Sequence, residues 1–286
     1  MTIRNPVEWG IDLVKVTVHG VGEIGHTLHR PAAEFEKTAP VVRRIGFSDL
    51  RAALTKGFED FGAYRTDVIF IGLIYPLAGL VLGQLAFGND MLPMIFPLVS
   101  GFALLGPVAA IGLYEMSRRR EKGLEVTWAH SLDVIRSPNF GAILGLTAIL
   151  AVIFVLWLGV AALIYRFTLG PGIPVSVGAF ISDVFTTGAG RAMIILGVGI
   201  GFLFALVVLA ISVVSFPMLL DRKVRVSTAV HTSVDAVKAN PGPMLAWGFI
   251  VACGLVLGSL PLLLGLIVVM PVLGHATWHL YRRTVE

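Results

Sequence analysis

Two apolar blocks dominate the pattern of this chain. Residues 68–114, 47 in number, carry a single charge, Asp90, and residues 244–280, 37 in number, carry none. At about 1.5 Å of rise per residue, each block is too long for one bilayer crossing and long enough for a helical pair. The pattern predicts an all-α, polytopic membrane protein with six transmembrane helices, at 68–87, 91–114, 140–165, 192–220, 244–257 and 261–280. The breaks between them have local causes. Gly88-Asn89-Asp90 is a turn signal. Gly258-Ser259-Leu260-Pro261 interrupts the second block, because proline cannot continue a helical ladder. The fifth span is short, and its start is expected to lie lower or the helix to be tilted. Between the third and fourth spans, beyond Gly170-Pro171-Gly172-Ile173-Pro174, the residues Phe180, Ile181, Val184 and Phe185 fall on one helical face and predict a short helix on the outer surface.

Polar stretches of helical spacing precede the odd-numbered spans, at 54–65, 127–138 and 227–240. Each holds an aspartate, Asp60, Asp133 or Asp235, five to six residues before the turn into the span. Arg136 and Lys238 each follow their aspartate by three, and Pro107 and Pro271 each stand 11 residues before an arginine, Arg118 and Arg282. These correspondences predict three repeats, at about 47–115, 123–220 and 225–283, each an interfacial amphipathic helix followed by a transmembrane hairpin. The domains are then an N-terminal cytoplasmic arm over 1–46 and a six-span membrane domain over 47–286. Glycine pairs at spacing four (Gly79/Gly83, Gly141/Gly145, Gly197/Gly201, Gly254/Gly258) allow close helix packing, within the chain or in a dimer seam.

Composition agrees. Hydrophobic residues make up 56% and charged residues 14% of the chain, against about 25% charged in soluble domains. One cysteine, Cys253, rules out a disulfide framework or a cysteine metal cluster. Glu8, Asp12 and Glu23 break up the first 30 residues, so no cleaved signal peptide is expected. Of 22 lysines and arginines, 20 lie in the arm up to Arg65, at 118–136, at 222–238 and at Arg282 and Arg283. The positive-inside rule puts these segments, and both termini, on the cytoplasmic side. The basic balance thus reports topology, and no nucleic-acid partner is expected.

The chain has no phosphate loop with a lysine, no His-Glu-x-x-His and no Gly-x-Ser-x-Gly. The centre of every predicted span is uncharged, which argues against an ion-coupled pump built on a buried carboxylate. Candidate groups lie at the cytoplasmic margin. His275 and His279 share one helical face and have the spacing of a haem or metal pair. In the surrounding 274–283 stretch they equally read as part of an interfacial belt or as hydrogen-bonding groups. In the repeat register His279 falls opposite Glu115, which predicts a hydrogen bond between them. Asp60, Asp133 and Asp235, with Glu115, form a candidate cytoplasmic polar cluster; salt bridges to nearby arginines and lysines are the simpler role. His130 and His231 lie on the polar faces of the interfacial helices. In the arm, Asn5-Pro6 starts a helix, and His19, His26 and His29 are a weaker metal candidate beside Trp9, Leu13, Val14, Val16 and Val18, an apolar set suited to docking.

The stretches Arg65-Thr-Asp-Val-Ile-Phe70 with Ile74-Tyr-Pro-Leu77, Leu113-Tyr-Glu-Met-Ser-Arg118, Asp183-Val-Phe-Thr-Thr187 and 274–283 resemble a bacterial family of predicted integral membrane proteins, a domain of unknown function. The resemblance runs from about Val42 to the C-terminus and implies a multi-pass protein of the bacterial cytoplasmic (inner) membrane. It carries no catalytic residues. Some members bear a label relating them to a cytochrome oxidase subunit, whose haem-copper core takes several histidines deep within spans; here only His275 and His279 lie near one.

The expectation is a non-enzymatic accessory, assembly or scaffolding protein with no cofactor. Its partners would be the lipid bilayer and a membrane protein or a second copy of the chain. A small-solute or lipid permease is the alternative, suggested by prolines 76, 93, 97, 107 and 271 in the spans. A haem or metal protein using His275 and His279 is the third reading.

Overall fold

The computed structural model describes residues 40–64, 76–77, 79–81, 84, 92–170, 172, 174 and 176–286. The arm over 1–39 with its three histidines, most of the first predicted span and the 88–90 turn lie outside the described residues. Among the described residues the regular structure is helical, and one antiparallel bridge joins Val42 to Val285.

Helix α1 is Phe47–Ala63. The second predicted span is broken: a 3-10 turn, Leu92–Met94, leads into α2 (Ile95–Leu104), α3 (Gly106–Ala109) and α4 (Ile111–Glu121). Pro107 explains the interruption, since it cannot donate to the Ala103 carbonyl and disfavours helical backbone just before it. Beyond the break α4 continues seven residues past the predicted end, to Glu121. The second interfacial stretch is a 3-10 helix, Trp128–Arg136. His130 caps its start by accepting the Thr127 backbone N–H at 3.0 Å.

The third span matches α5, Phe140–Thr168. The short helix predicted after Pro174 is present as α6, Val177–Thr186, capped by Ser176, whose Oγ accepts from the Ala179 N–H at 3.1 Å. The fourth span is α7 (Gly188–Ser212) and α8 (Ser215–Asp221), parted at Val213–Val214. Pro217 lies four residues beyond Val213 and leaves that carbonyl without its helical donor. The third interfacial helix is α9, Val226–Ala239. The fifth span, α10, starts lower than predicted, at Pro241–Ser259, because proline is well tolerated at a first helical position. The last helix, α11, is Leu266–Thr284. It begins later than predicted, after a turn in which Leu262 and Leu263 adopt positive φ of 51° and 66°. That turn needs a close backbone approach: a Cβ on Gly265 would stand 2.7 Å from the Gly258 carbonyl oxygen. Gly254 and Gly258 both face α11, so this glycine pair serves packing within the hairpin.

Among the described residues three helical stretches have the length and apolarity of membrane spans: Phe140–Thr168, Gly188–Asp221 and Pro241–Ser259. Their outward faces carry exposed Val155, Ile195, Phe202, Phe249 and Val256, the surface a hydrocarbon layer would cover. At the charged end of the bundle α4, α8 and α11 converge around fully buried Met116, Phe216, Leu219, Trp278 and Tyr281. Around this centre, α1 packs on α11, the 3-10 helix on α4, and α9 on α7 and α8.

Two asparagines tie the arrangement together. Asn139, just before α5, donates to the carbonyls of Leu219 at 2.8 Å and Arg222 at 2.5 Å. Asn240, just before α10, donates to the Arg43 carbonyl at 2.9 Å and accepts the Ile45 N–H at 2.7 Å. Asn139 thereby ties the start of α5 to the segment leading into α9, and Asn240 ties the start of α10 to the segment leading into α1. Segment 41–43 also pairs with the C-terminus: the Arg43 N–H donates to the Thr284 carbonyl at 2.8 Å. Replacing Asn240 by alanine removes these bonds and leaves buried backbone groups unpaired, an expected loss of about 1–3 kcal/mol. Hydrogen exchange at Ile45 and its neighbours should rise in that variant, with the spans unaffected.

Candidate functional site

A largely buried polar cluster centres on Asp60, on the inner face of α1. Gly57, one turn earlier on that face, sets the distance between helices. A Cβ there would lie 2.7 Å from the Ala276 Cβ and 2.7 Å from the Val272 carbonyl oxygen of α11. The bare glycine lets α1 sink onto α11, which carries Asp60 beside His275 and His279.

Asp60 is 4% exposed and accepts from three side chains on two helices, α4 and α11. Ser117 Oγ of α4 donates to Oδ2 at 2.5 Å, and His279 Nε2 of α11 donates to the same oxygen at 2.9 Å. Arg120 of α4 donates to Oδ1, and its guanidinium lies 5.8 Å from the centre of the Tyr64 ring, a cation–π contact. His275 Nδ1 is 2.8 Å from Ser117 Oγ. Since Ser117 gives its proton to Asp60, the network assigns the Nδ1–H tautomer to His275. The other ring nitrogen, Nε2, is then a buried acceptor with no hydrogen-bond partner. Burial pushes the Asp60 carboxyl up. The hydrogen bonds from His279 and Ser117 outweigh that and hold it below its ordinary 3.8.

The sequence of contacts is His275, Ser117, Asp60, His279. The serine stands between the imidazole and the carboxylate and is only 1% exposed. A nucleophilic serine needs the histidine in the middle and an open face, so this group lacks the arrangement of a hydrolase.

A second set joins the ends of the central helices. Glu121 of α4 accepts from Trp278 Nε1 at 3.0 Å and Arg282 Nε at 3.0 Å. Asp221 of α8 accepts from the Tyr281 hydroxyl at 3.0 Å and Arg282 Nη1 at 3.4 Å. Arg283 donates to Asp49 of α1 at 2.8 Å. Asp49 also accepts the Gly46 N–H, and that bond, more than the arginine, keeps its carboxyl below the ordinary range despite partial burial.

The remaining predicted residues separate. Glu115 forms a two-pronged pair with Arg118, at 2.7 Å and 2.9 Å. The expected Glu115–His279 bond is therefore replaced, because His279 lies on the side of α11 that α1 covers. Asp133 is half-buried beside Arg119 at 3.3 Å and Arg136 at 3.6 Å. Asp235 is exposed. Asp60 and Asp133 are thus held by adjacent arginines of α4, each in its own cluster. Ser117, Arg120 and Glu121 were missed as site residues; the clue was their placement on α4 at spacings of three and four around the arginine run. Among the described residues no three His, Cys, Asp or Glu side chains are set to hold a metal ion. His279 Nε2 and His275 Nδ1 are already committed to Asp60 and Ser117.

The break-and-continue helix α2–α4, the 3-10 helix, and the hairpin α5–α8 form the segment that comparison recognises. Residues 95–221 match the family described as predicted integral membrane protein (DUF2189). The chain is an integral membrane protein, and the function of that family is unknown. The DUF2189 segment ends at Asp221, so it contains Ser117, Arg120, Glu115 and Asp133, while Asp60 and both histidines lie beyond it. No curated protein and no solved structure matches the chain.

Proposed function

We propose that this chain is a non-enzymatic accessory or scaffolding protein of the bacterial inner membrane. Its three interfacial-helix-and-hairpin units would present a platform on the cytoplasmic side to a partner. The observation that carries the reading is helix α1. Its inner face is committed to α11 and α4 through Gly57 and Asp60. Its outer face presents Phe47 and Phe58, 66% and 58% exposed, which an 11-residue separation places on one side of the helix. Exposed Arg51, Lys56 and Glu59 flank them. A locked helix with an aromatic outer stripe suits docking better than gating, which needs an element with two arrangements. The saturated state of Asp60 supports the same reading, since every contact it makes is internal.

The test is native-gel electrophoresis of membranes containing the wild type or the Phe47→Asp/Phe58→Asp variant. The wild type should run as a complex and the variant as the bare chain. Unfolding of the variant should change by no more than about 0.5 kcal/mol per exposed site. A wild type that runs alone and catalyses saturable solute uptake in liposomes would instead establish the permease reading.

A further inference from the structure

We infer that the arginine-lined pocket between α4, the 3-10 helix and the end of α8 binds a phosphate-bearing anionic headgroup. The pocket has a volume of about 230 Å³ and is lined by Arg118, Arg119, Arg136, Glu115, Asp133 and Ser137, with Leu220 among its apolar groups. This is room for one phosphate with its glycerol, and too little for a large solute.

Depth favours a headgroup. Ser137 and Pro138 stand just before α5, and Leu220 is the penultimate residue of α8, so the pocket lies where two candidate spans end. A 29-residue helix is about 43 Å long and outreaches a hydrocarbon layer of about 30 Å. Its ends therefore stand among phosphates.

Charge favours an anion. Three arginines face two carboxylates, so the lining carries one excess positive charge, the complement of one phosphodiester. Two of the arginines are anchored. Arg118 is gripped by Glu115, and Arg119 is held by Asp133 and by the Glu125 carbonyl at 2.9 Å. Arg136 is different: its side chain is 82% exposed, and its pairing to Asp133 at 3.6 Å is too long for a hydrogen bond. Its fork of donors is available to a planar or tetrahedral oxyanion. Asp133 keeps the guanidinium over the pocket without satisfying it. Ser137, beside Arg136 in the lining, can add a hydroxyl donor.

The experiment is native mass spectrometry of the full chain in mild detergent, titrated with phosphatidylglycerol or phosphatidylcholine. One molecule of phosphatidylglycerol should bind in preference to phosphatidylcholine. Arg136→Gln should weaken it about tenfold, the loss of a charge-assisted hydrogen bond. Arg51→Gln, an exposed arginine on α1, should leave it unchanged. Glycerol 1-phosphate is then added as competitor. If it fails to displace the lipid, the ligand is the membrane headgroup; if it displaces the lipid in an Arg136-dependent way, the same site takes a soluble phosphate ester. Equal binding of the two lipids, or equal losses in Arg136→Gln and Arg51→Gln, would overturn the assignment.

Discussion

Asp60→Asn is expected to lower the unfolding free energy by about 2–4 kcal/mol, because a partly buried arginine loses its counter-ion and hydrogen bonds to a buried charge are lost. Arg120, one-third exposed, recovers some water, which keeps the loss at the lower end of that range. His279 and Ser117 both donate to Oδ2 of Asp60, and an amide cannot accept all three donors with the strength of a carboxylate. The effect also depends on pH, and its sign follows from the lowered carboxyl. A group held below its ordinary 3.8 binds fewer protons in the folded than in the unfolded chain. Its contribution is complete above that value and is lost as pH falls through the lower folded one. The gap between wild type and Asp60→Asn should therefore be wide near neutrality and close below about pH 4. Denaturant titration of both proteins in one detergent across pH measures it; a gap that persists unchanged at pH 3 contradicts the charged clamp.

Gly57→Val should be at least as damaging. Even the first carbon of the side chain would meet the Val272 carbonyl and the Ala276 amide nitrogen, at 2.7 Å and 2.8 Å. Backbone atoms cannot rotate aside, so α1 must lift from α11. Overpacking of this kind costs about 1–3 kcal/mol, occasionally more, and lifting α1 also withdraws Asp60 from His279. Valine's branched side chain adds no offsetting packing, whereas alanine would regain up to about 1 kcal/mol of helix propensity. Since both substitutions break the same contact, they should be strongly non-additive: Gly57→Val/Asp60→Asn should unfold close to Gly57→Val alone. Additive losses would show that Asp60 stabilises the fold independently of the α1–α11 contact.

Much of this architecture was legible in the residues. The apolar runs located α2–α4, α5, α7–α8, α10 and α11, the Gly258–Pro261 signal parted the last two, and the amphipathic spacing after Pro174 anticipated α6. The interfacial stretches stood out because polar residues recur there beside long uncharged runs. Partners were harder to read. Asp60 meets residues 57, 60 and 219 positions away, and no periodicity links positions so far apart. Register alone paired His279 with Glu115, but the small residues Gly57 and Ala276 turned that face toward α1. Pro107 and Pro271 occupy matching places before an arginine, yet the first coincides with a break and the second lies inside a continuous helix. The 3-10 form of Trp128–Arg136 was also beyond pattern reading, since both helix types place residues three apart on similar faces. The matched segment, 95–221, holds the arginine-lined pocket whole, whereas the Asp60 clamp joins it to the chain on either side.

The central claim is that a closed, charged end of this membrane protein serves as a platform for another protein. Native mass spectrometry of the chain released from its own membranes in mild detergent tests it most directly. The account predicts a stoichiometric protein partner that is lost from the Phe47→Asp/Phe58→Asp variant. A bare chain carrying only lipid, from wild type and variant alike, would contradict it.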